Sequence, residues 1–297
     1  MTSTDFHPEL RRVGRLLPKQ IVSPRTLPFI RFLTRFLGPR TPRDGEVVTL
    51  RQCVTVRLFR PPVASTPAPA LLWIHGGGYV MGAAAQDDRV CARFARELGA
   101  TVAAVGYRLA PENPYPAALD DCYTALRWIA ELPSVDPARV AIGGASAGGG
   151  LAAALAMMAR DRAEIQIAAQ LLVYPMLDDR TVERPEAEHP KMRLWSPNSN
   201  KFGWASYLGD ADPDVAVPAR RQDLAGLAPA WIGVGEFDLF HDEDLAYAER
   251  LMAAGVPCEI EVIPGAFHVF NSVLPKTDVA QSFFDSQCAM LRRVFTK

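Results

Sequence analysis

A five-residue stretch, Gly144-Ala145-Ser146-Ala147-Gly148, has the G-x-S-x-G pattern of a nucleophile turn. In such a turn a strand ends sharply and a helix begins, so that the serine is strained and the glycines avoid steric collisions. An apolar run at 139–144 and an alanine-rich run at 151–160 supply the expected strand and helix. Because an ordinary tight turn can also be rich in Gly and Ala, the interpretation needs the other groups of an acyl-transfer site.

A glycine loop, His75-Gly76-Gly77-Gly78, follows an apolar run at 70–74. Glycine amides can approach a developing oxyanion closely because no Cβ intervenes. We therefore assign the amides of Gly76 and Gly77, together with that of Ala147, to a predicted oxyanion hole. A phosphate cradle is the alternative interpretation, but no Lys-Ser/Thr follows the loop, and the chain contains no G-x-G-x-x-G.

A serine nucleophile needs a base and an orienting acid, which follow it in the chain order Ser, Asp, His in this kind of site. His268 lies in PGAFHVF, just past the apolar run 258–263, at the carboxyl end where parallel-sheet sites form, and His241 is its competitor. Asp238 follows the apolar run 230–236 and is the predicted acid. The alternative acids in the same stretch are Glu236, Asp242, Glu243 and Asp244. The last three are typical of the first turn of a helix, where the dipole favours acids.

These groups can meet only if strands and helices carry them to one edge of a sheet. Short β-branched runs at 46–51 and 53–60 predict two antiparallel strands. Six further apolar runs predict strands buried on both faces of a parallel sheet: 70–74, 101–107, 139–144, 168–175, 230–236 and 258–263. Because helical stretches alternate with them, we expect an α/β fold with a mostly parallel, eight-stranded twisted sheet flanked by helices.

Apolar residues at helical spacing predict the flanking helices. The stripes are Leu119, Cys122, Leu126 and Ile129; Leu245, Ala248 and Leu251; and Phe284, Cys288, Leu291 and Phe295. A fourth stripe, formed by Phe29, Phe32, Leu33 and Phe36, predicts a helix that packs on the main body, with a lid or membrane-touching helix as the alternative. The long connection from Leu177 to Leu227 is typical of an insertion over an active site.

Composition excludes several classes of protein. The chain has 297 residues, is 49 % hydrophobic and 22 % charged, and has a formal net charge of −1, which argues against intrinsic disorder and nucleic-acid binding. Its five cysteines form no C-x-x-C pair, so we expect buried free thiols in a reducing, cytoplasmic compartment. The uncharged stretch Val140–Ala159 is long enough to span a bilayer, but its glycines favour a strand, a turn and a helix.

Six segments together resemble the hormone-sensitive-lipase-like group of α/β-hydrolase esterases. They are HGGGYVMG, YRLAPENPYPAALDDCYTALRWI, GASAGGGLAAALA, YPMLDD, GEFDLFHDED and PGAFHVF. The resemblance runs from about residue 45 to the C-terminus and implies a helical cap, made here from segment 1–45 and an insertion at about 178–220 of a catalytic domain spanning 46–297. It also suggests dimers formed through an edge strand. Ala145 departs from a common family form, which has Asp before the nucleophile.

We expect a serine carboxylesterase acting on short- to medium-chain esters, with catalytic residues Ser146, Asp238 and His268 and no metal or organic cofactor. The candidates for an apolar substrate pocket are Tyr79, Met81, Trp204, Tyr207 and Phe267, with Met176, Leu177, Trp195 and Phe270 as further possibilities. The alternatives are an amidase or small-molecule deacetylase using the same triad, a non-catalytic receptor, and a membrane-associated lipase using the basic aromatic face at 29–36. We expect no nucleic-acid partner and no membrane contact.

Overall fold

The strands of this chain form one twisted sheet. The computed structural model describes residues 5–37, 41–50, 54–62, 67–183 and 190–296. Its eight strands are β1 (Glu46–Thr49), β2 (Thr55–Phe59), β3 (Ala68–Ile74), β4 (Thr101–Gly106), β5 (Val135–Ala145), β6 (Ala169–Val173), β7 (Ala230–Gly235) and β8 (Cys258–Ile263). They lie in the order β1-β2-β4-β3-β5-β6-β7-β8. The pairs β1–β2 and β2–β4 are antiparallel and the rest are parallel, which confirms the predicted mostly parallel sheet.

The central strands are buried on both faces, as their uninterrupted apolar runs predict. Every residue of β3, β6 and β7 is buried. The observed strand bounds agree with the predicted ones within about two residues, except that β5 begins at Val135 rather than at residue 139. The additional residues are mostly exposed or half-buried and include Asp136 and Pro137, so they do not produce an apolar pattern.

Helices cover both faces of the sheet. The described α-helices are α1 (Arg11–Gly14), α2 (Leu27–Leu37), α3 (Asp88–Leu98), α4 (Ala117–Ala130), α5 (Ala147–Arg162), α6 (Pro197–Leu208), α7 (Pro213–Ala216), α8 (His241–Ala253), α9 (Phe270–Val273) and α10 (Asp278–Phe295). One core cluster joins α4, α5 and α8 to the sheet, and a second joins α3 and α10 to it. The predicted stripes on α4 and α10 are buried, and on α8 Ala248 and Leu251 are buried while Leu245 is half-buried.

The uncharged stretch at 140–159 is divided between β5, a sharp turn and α5. Among the described residues, no helix has both the length and the apolar character needed to cross a bilayer. Cys91, Cys122 and Cys288 are buried free thiols and Cys258 is a half-buried one. Cys53 lies outside the described residues.

Segment 5–37 runs over the carboxyl edge of the sheet and is attached to it at several points. The His7 amide donates to Gly265 O (2.9 Å) and the Leu194 amide donates to Pro18 O (2.9 Å). The Ser199 hydroxyl of α6 donates to Val22 O at 2.7 Å. Segment 5–37 and residues 190–220 therefore contact each other and lie on the same side of the molecule as the carboxyl ends of the parallel strands.

The orientation predicted for α2 is wrong. Phe29, Phe32 and Leu33 are 65 %, 61 % and 41 % exposed, whereas Leu27 is buried and Ile30 packs against the core. The reason is the position of Arg31, because its guanidinium reaches inward to backbone carbonyls of the main body and thereby turns the aromatic stripe outward. The side chains of Arg35 and Phe36 lie outside the described residues.

Candidate active site

Ser146 lies at the turn between β5 and α5 with φ 57° and ψ −122°, in a conformation that non-glycine residues rarely adopt. The flanking glycines permit this turn because side chains would collide there. A Cβ on Gly148 would lie 2.1 Å from Ile74 O, and one on Gly144 would lie 2.4 Å from Gly148 O. The structure therefore confirms the predicted strained strand–turn–helix, and Ala147 opens the helix with its amide free of an intrahelical acceptor.

Ser146, His268 and Asp238 form a continuous hydrogen-bonded chain. Ser146 Oγ lies 3.0 Å from His268 Nε2, and His268 Nδ1 lies 2.7 Å from Asp238 Oδ2. Because a carboxylate can only accept, the proton of the neutral imidazole is on Nδ1, and Nε2 is available to receive the serine proton. All three residues are nearly covered, with 4 %, 4 % and 6 % exposure in the same order.

The competing acids and the competing histidine lie elsewhere. Glu236 accepts a hydrogen bond from the Gly265 amide (2.8 Å), and Glu243 accepts from the Leu177 amide (2.6 Å). His241 Nδ1 lies 2.7 Å from the neighbouring carboxylate of Asp242. Asp242, Glu243 and Asp244 occupy the first turn of α8, as their spacing predicts. The Asp244 carboxylate is buried with no hydrogen-bond partner among the described residues, and burial raises its pKa.

The amides of the glycine loop have fixed directions, because the loop's own carbonyl oxygens accept hydrogen bonds on the opposite side. His75 O accepts from the Tyr107 hydroxyl (3.0 Å), and Gly77 O accepts from the amides of Val80 (3.1 Å) and Met81 (3.0 Å). In a trans peptide the following N–H points away from such a carbonyl, so each occupied oxygen orients the next amide. Gly77 has φ +133°, and a Cβ there would lie 2.0 Å from Met81 O, so only glycine fits.

His75 orients the peptide between Gly76 and Gly77. Its Nδ1 lies 2.8 Å from Gly76 O, and its ring is stacked on Tyr107 with centroids 4.2 Å apart. Burial lowers the pKa of His75 to about 4, so the ring is neutral near pH 7 and donates its Nδ1 proton to that carbonyl. The Gly77 amide is thereby directed to the other side of the peptide. The sequence pattern indicates His75 only as part of the glycine loop, and no sequence signal predicts this contact with Gly76 O.

Three of the five predicted pocket residues form one aromatic cluster next to the end of the glycine loop. Tyr79 stacks on Tyr207 with centroids 4.1 Å apart and lies 5.2 Å from Trp204, and all three are buried. Met81 is half-buried and packs against the same core. Phe267 does not join them, because it is fully buried edge-to-face against Phe6 in the second core cluster. Trp195, from the further possibilities, packs over the glycine loop, within 2.0 Å of the position a Gly78 Cβ would take.

Comparison with known proteins assigns this arrangement to a family. A family profile described as the alpha/beta hydrolase fold matches residues 71–272. The chain belongs to the hormone-sensitive-lipase-like group of α/β-hydrolases. It is 39 % identical to esterase LipI of Mycobacterium tuberculosis over 70 % of this chain and 68 % of that protein. It is 34 % identical to carboxylesterase NlhH of the same organism, over 86 % and 81 % of the two chains.

A solved esterase structure agrees with this fold along nearly the whole chain. A bacterial heroin esterase superposes with a TM-score of 0.87 and 35 % identity, covering 98 % of both chains. Because 98 % of this chain is covered, the compared part includes most of segment 5–37 and of residues 190–220. Within this group the chain has Ala145 before the nucleophile, where no side-chain hydrogen bond can form.

Two aromatic residues around His268 were not predicted as site residues. The Tyr174 ring lies 5.0 Å from the imidazole and the Phe240 ring lies 5.2 Å from it, centroid to centroid. Tyr174 belongs to the segment YPMLDD, which contributed to the family resemblance, and Phe240 follows Asp238 by two positions. The sequence contains the residues, but no periodicity or spacing indicates that they meet His268.

Proposed function

We propose that this chain is a serine carboxylesterase and that Ser146, His268 and Asp238 are its catalytic triad. The observation that carries the proposal is the hydrogen-bonded chain from Ser146 Oγ through both imidazole nitrogens to Asp238. Esterase names among relatives that match most of the chain support the same reaction class. A non-catalytic receptor would not need this geometry.

The reaction begins when Ser146 Oγ attacks the ester carbonyl carbon while its proton passes to His268 Nε2. The tetrahedral oxyanion accepts hydrogen bonds from the amides of Gly76 and Gly77 and from Ala147, which are the proposed donors. As the alkoxide leaves, it takes the proton from Nε2, and an acyl-enzyme remains. Water then attacks the acyl carbon, with His268 again as the base, and releases the carboxylic acid and free Ser146.

Coverage of the site supports a preference for short- to medium-chain acyl groups. Ser146 and His268 are each 4 % exposed, and Tyr79, Trp204 and Tyr207 form a buried aromatic cluster that begins directly after the glycine loop, at Tyr79. A long chain would have to displace this aromatic packing. We expect kcat/KM for p-nitrophenyl esters to be highest between acetyl and octanoyl and to decline toward palmitoyl.

Buried free thiols at Cys91, Cys122 and Cys288 support cytoplasmic localisation.

The test is Ser146→Ala, assayed on p-nitrophenyl butyrate. We expect kcat to fall at least about 1000-fold, because loss of one triad member leaves only binding and the oxyanion hole. Ser206→Ala, which removes a buried hydroxyl from α6, serves as the control and should retain wild-type turnover. Thermal unfolding shows whether both variants are folded. Wild-type turnover by Ser146→Ala would contradict the proposed site.

A further inference from the structure

His268 lies on the connection between β8 and α9, so regular secondary structure does not hold its side chain. Its imidazole must nevertheless keep Nδ1 toward Asp238 and Nε2 toward Ser146 at the same time. Both hydrogen bonds weaken steeply when the ring rotates away from alignment. Something other than the loop backbone must therefore hold the plane of this ring.

Two buried aromatic rings meet the imidazole edge-to-face. Tyr174 lies 5.0 Å away at an interplanar angle of 68°, and Phe240 lies 5.2 Å away at 87°. Phe240 is already tied to the acid, because its amide donates to Asp238 Oδ1 at 3.0 Å. Tyr174 comes directly after β6, an element that contributes no residue to the proposed triad. It is therefore the independent part of the enclosure around His268.

Tyr174 is held on every side. Its amide donates to Gly233 O of β7 at 2.7 Å, and its ring lies nearly parallel to Phe283 of α10, with centroids 6.4 Å apart. Its hydroxyl donates to Asn271 Oδ1 at 2.8 Å. Its backbone has φ +37°, a conformation that a non-glycine residue keeps only when surrounding contacts impose it. Burial raises the pKa of Tyr174, so the hydroxyl keeps its proton and remains a donor.

The hydrogen bond from the Tyr174 hydroxyl matters for His268 because its acceptor, Asn271, lies close to His268 in the chain. Asn271 lies in α9, three positions after His268, so the bond ties β6 to the segment that carries the imidazole. One residue thus packs against the ring and also anchors the backbone that follows it. A tyrosine needed only to fill the core would require neither the hydroxyl bond nor the strained backbone.

We propose that Tyr174 is a positioning residue for His268, acting through its ring contact with the imidazole and its hydroxyl bond to Asn271. The inference deepens the proposed function and depends on it. If Tyr174 positions His268, its hydroxyl affects kcat more than KM. The reason is that imidazole alignment affects proton transfer from Ser146 and not the initial binding of an ester.

The decisive variant is Tyr174→Phe, which keeps the ring and removes the hydroxyl. We expect kcat for p-nitrophenyl butyrate to fall about tenfold while KM stays within about twofold, the change expected from one lost orienting hydrogen bond. The rate at which a fluorophosphonate labels Ser146 should fall by the same factor, because labelling also needs the imidazole base. A purely structural role would lower the unfolding temperature and leave the labelling rate unchanged.

Asn271→Ala tests whether the hydroxyl acts through its partner. The Ser272 hydroxyl also interacts with the Tyr174 hydroxyl, so Asn271→Ala should lose no more than Tyr174→Phe, and the double variant should match Tyr174→Phe alone. Tyr247→Phe is the matched control, since that hydroxyl is buried without a hydrogen-bond partner among the described residues.

The proposal is overturned if Tyr174→Phe keeps wild-type kcat and labelling rate, or if the losses of the two single variants multiply in the double variant. Ser146→Ala is measured in the same series. If Ser146→Ala is active, the proposed function itself is wrong. If Ser146→Ala is inactive and Tyr174→Phe is fully active, only the positioning function of Tyr174 is wrong.

Discussion

Both oxygens of Asp238 face donors, which makes the residue sensitive to replacement by its own amide. Oδ1 accepts from the Phe240 amide at 3.0 Å and Oδ2 accepts from His268 Nδ1 at 2.7 Å. In Asp238→Asn the side-chain oxygen can meet the Phe240 amide only if the NH₂ group faces His268. The imidazole must then carry its proton on Nε2, where it cannot accept the proton of Ser146. We expect kcat to fall about 10⁴-fold with folding preserved, as measured by ester hydrolysis and thermal unfolding.

Glu236→Gln is the comparison for this variant. Glu236 was an alternative acid, and its carboxylate accepts from the Gly265 amide, a bond that a glutamine oxygen can also accept. We expect its kcat to stay within about twofold of wild type. If Asp238→Asn has near-normal turnover and Glu236→Gln has a large loss of turnover, the catalytic acid is Glu236 and not Asp238.

Motifs and chain order were sufficient to select the residues of the hydrogen-bonded chain, but not the residues around it. G-x-S-x-G marks Ser146 because the turn itself requires glycines at fixed offsets. Tyr174 meets Asn271 across a sequence separation of 97 residues, and only the sheet order brings them together. His75 shows a related limit, because its importance depends on which carbonyl its ring faces and on the burial that keeps it neutral.

Among the secondary-structure elements, strands were predicted better than the orientation of helices. A strand buried on both faces needs only an apolar run, and β7 was predicted within one residue of its observed bounds. The bounds of β8 were also predicted, but the expectation that it is buried on both faces is wrong, because it is an edge strand in which Glu259 and Ile260 are exposed. Helix α2 shows why a helical stripe can mislead. Its aromatic stripe had the correct period, but Arg31 makes specific bonds to the main body, and those bonds decide which side faces inward. Apolar periodicity does not reveal that a charged side chain will find buried carbonyls.

Arg31 connects segment 5–37 to the residues that follow the glycine loop and to those that follow β4. Its Nε donates to Val80 O at 2.6 Å, one terminal nitrogen donates to Ala110 O, and the other pairs with Glu112 at 2.7 Å. We expect Arg31→Met to lower the free energy of unfolding by about 1–3 kcal/mol, since charge-assisted bonds to two carbonyls are lost. Segment 5–37 should also become more sensitive to limited proteolysis, and KM should rise.

Arg25→Met provides the control, because Arg25 is exposed and precedes the same helix. It should change neither stability nor proteolysis. If Arg31→Met and Arg25→Met are digested at equal rates and unfold at equal temperatures, Arg31 does not attach segment 5–37.

The Arg31 contacts also mean that a lipid-binding test of the exposed face of α2 should alter Phe29 and Leu33 and leave Arg31 intact, since replacing Arg31 would disturb the fold.

In the whole molecule, the strand order brings four separate loops to one edge of the sheet. The loops after β3, β5, β7 and β8 supply the glycine amides, Ser146, Asp238 and His268, in that order along the chain. The loop after β6 lies among them and is held by Glu243 of α8, whose carboxylate accepts from the amides of Leu177 (2.6 Å) and Asp178 (3.2 Å) and from the Thr181 hydroxyl. The buried side chain of Glu243 therefore joins α8, the helix that follows Asp238, to the segment after β6. That segment continues along the chain to residues 190–220.

Glu243 should make the stability of the whole protein depend on pH. Burial raises the pKa of Glu243 to about 8, against the hydrogen bonds from Thr181, Leu177 and Asp178 that lower it, and the nearby charge of Asp178 raises it further. Between its ordinary value of 4.5 and about 8, the folded state holds a proton that the unfolded state has lost, so stability falls as pH rises. The limiting slope for one group is about 1.4 kcal/mol per pH unit. Asp87, whose pKa burial raises to about 7, acts in the same direction.

His75 acts in the opposite direction at lower pH. Burial lowers its pKa from 6.5 to about 4, so its contribution to stability grows as pH rises through that interval and is complete above it. The interval from about pH 6.5 to about pH 8 therefore isolates the buried acids. We expect wild-type protein to lose stability across this interval in urea unfolding. Glu243→Gln should lose distinctly less, because glutamine keeps the shape and can still accept from Leu177 but has no proton to release. Equal slopes for the two proteins would show that Glu243 is already ionised in the folded state.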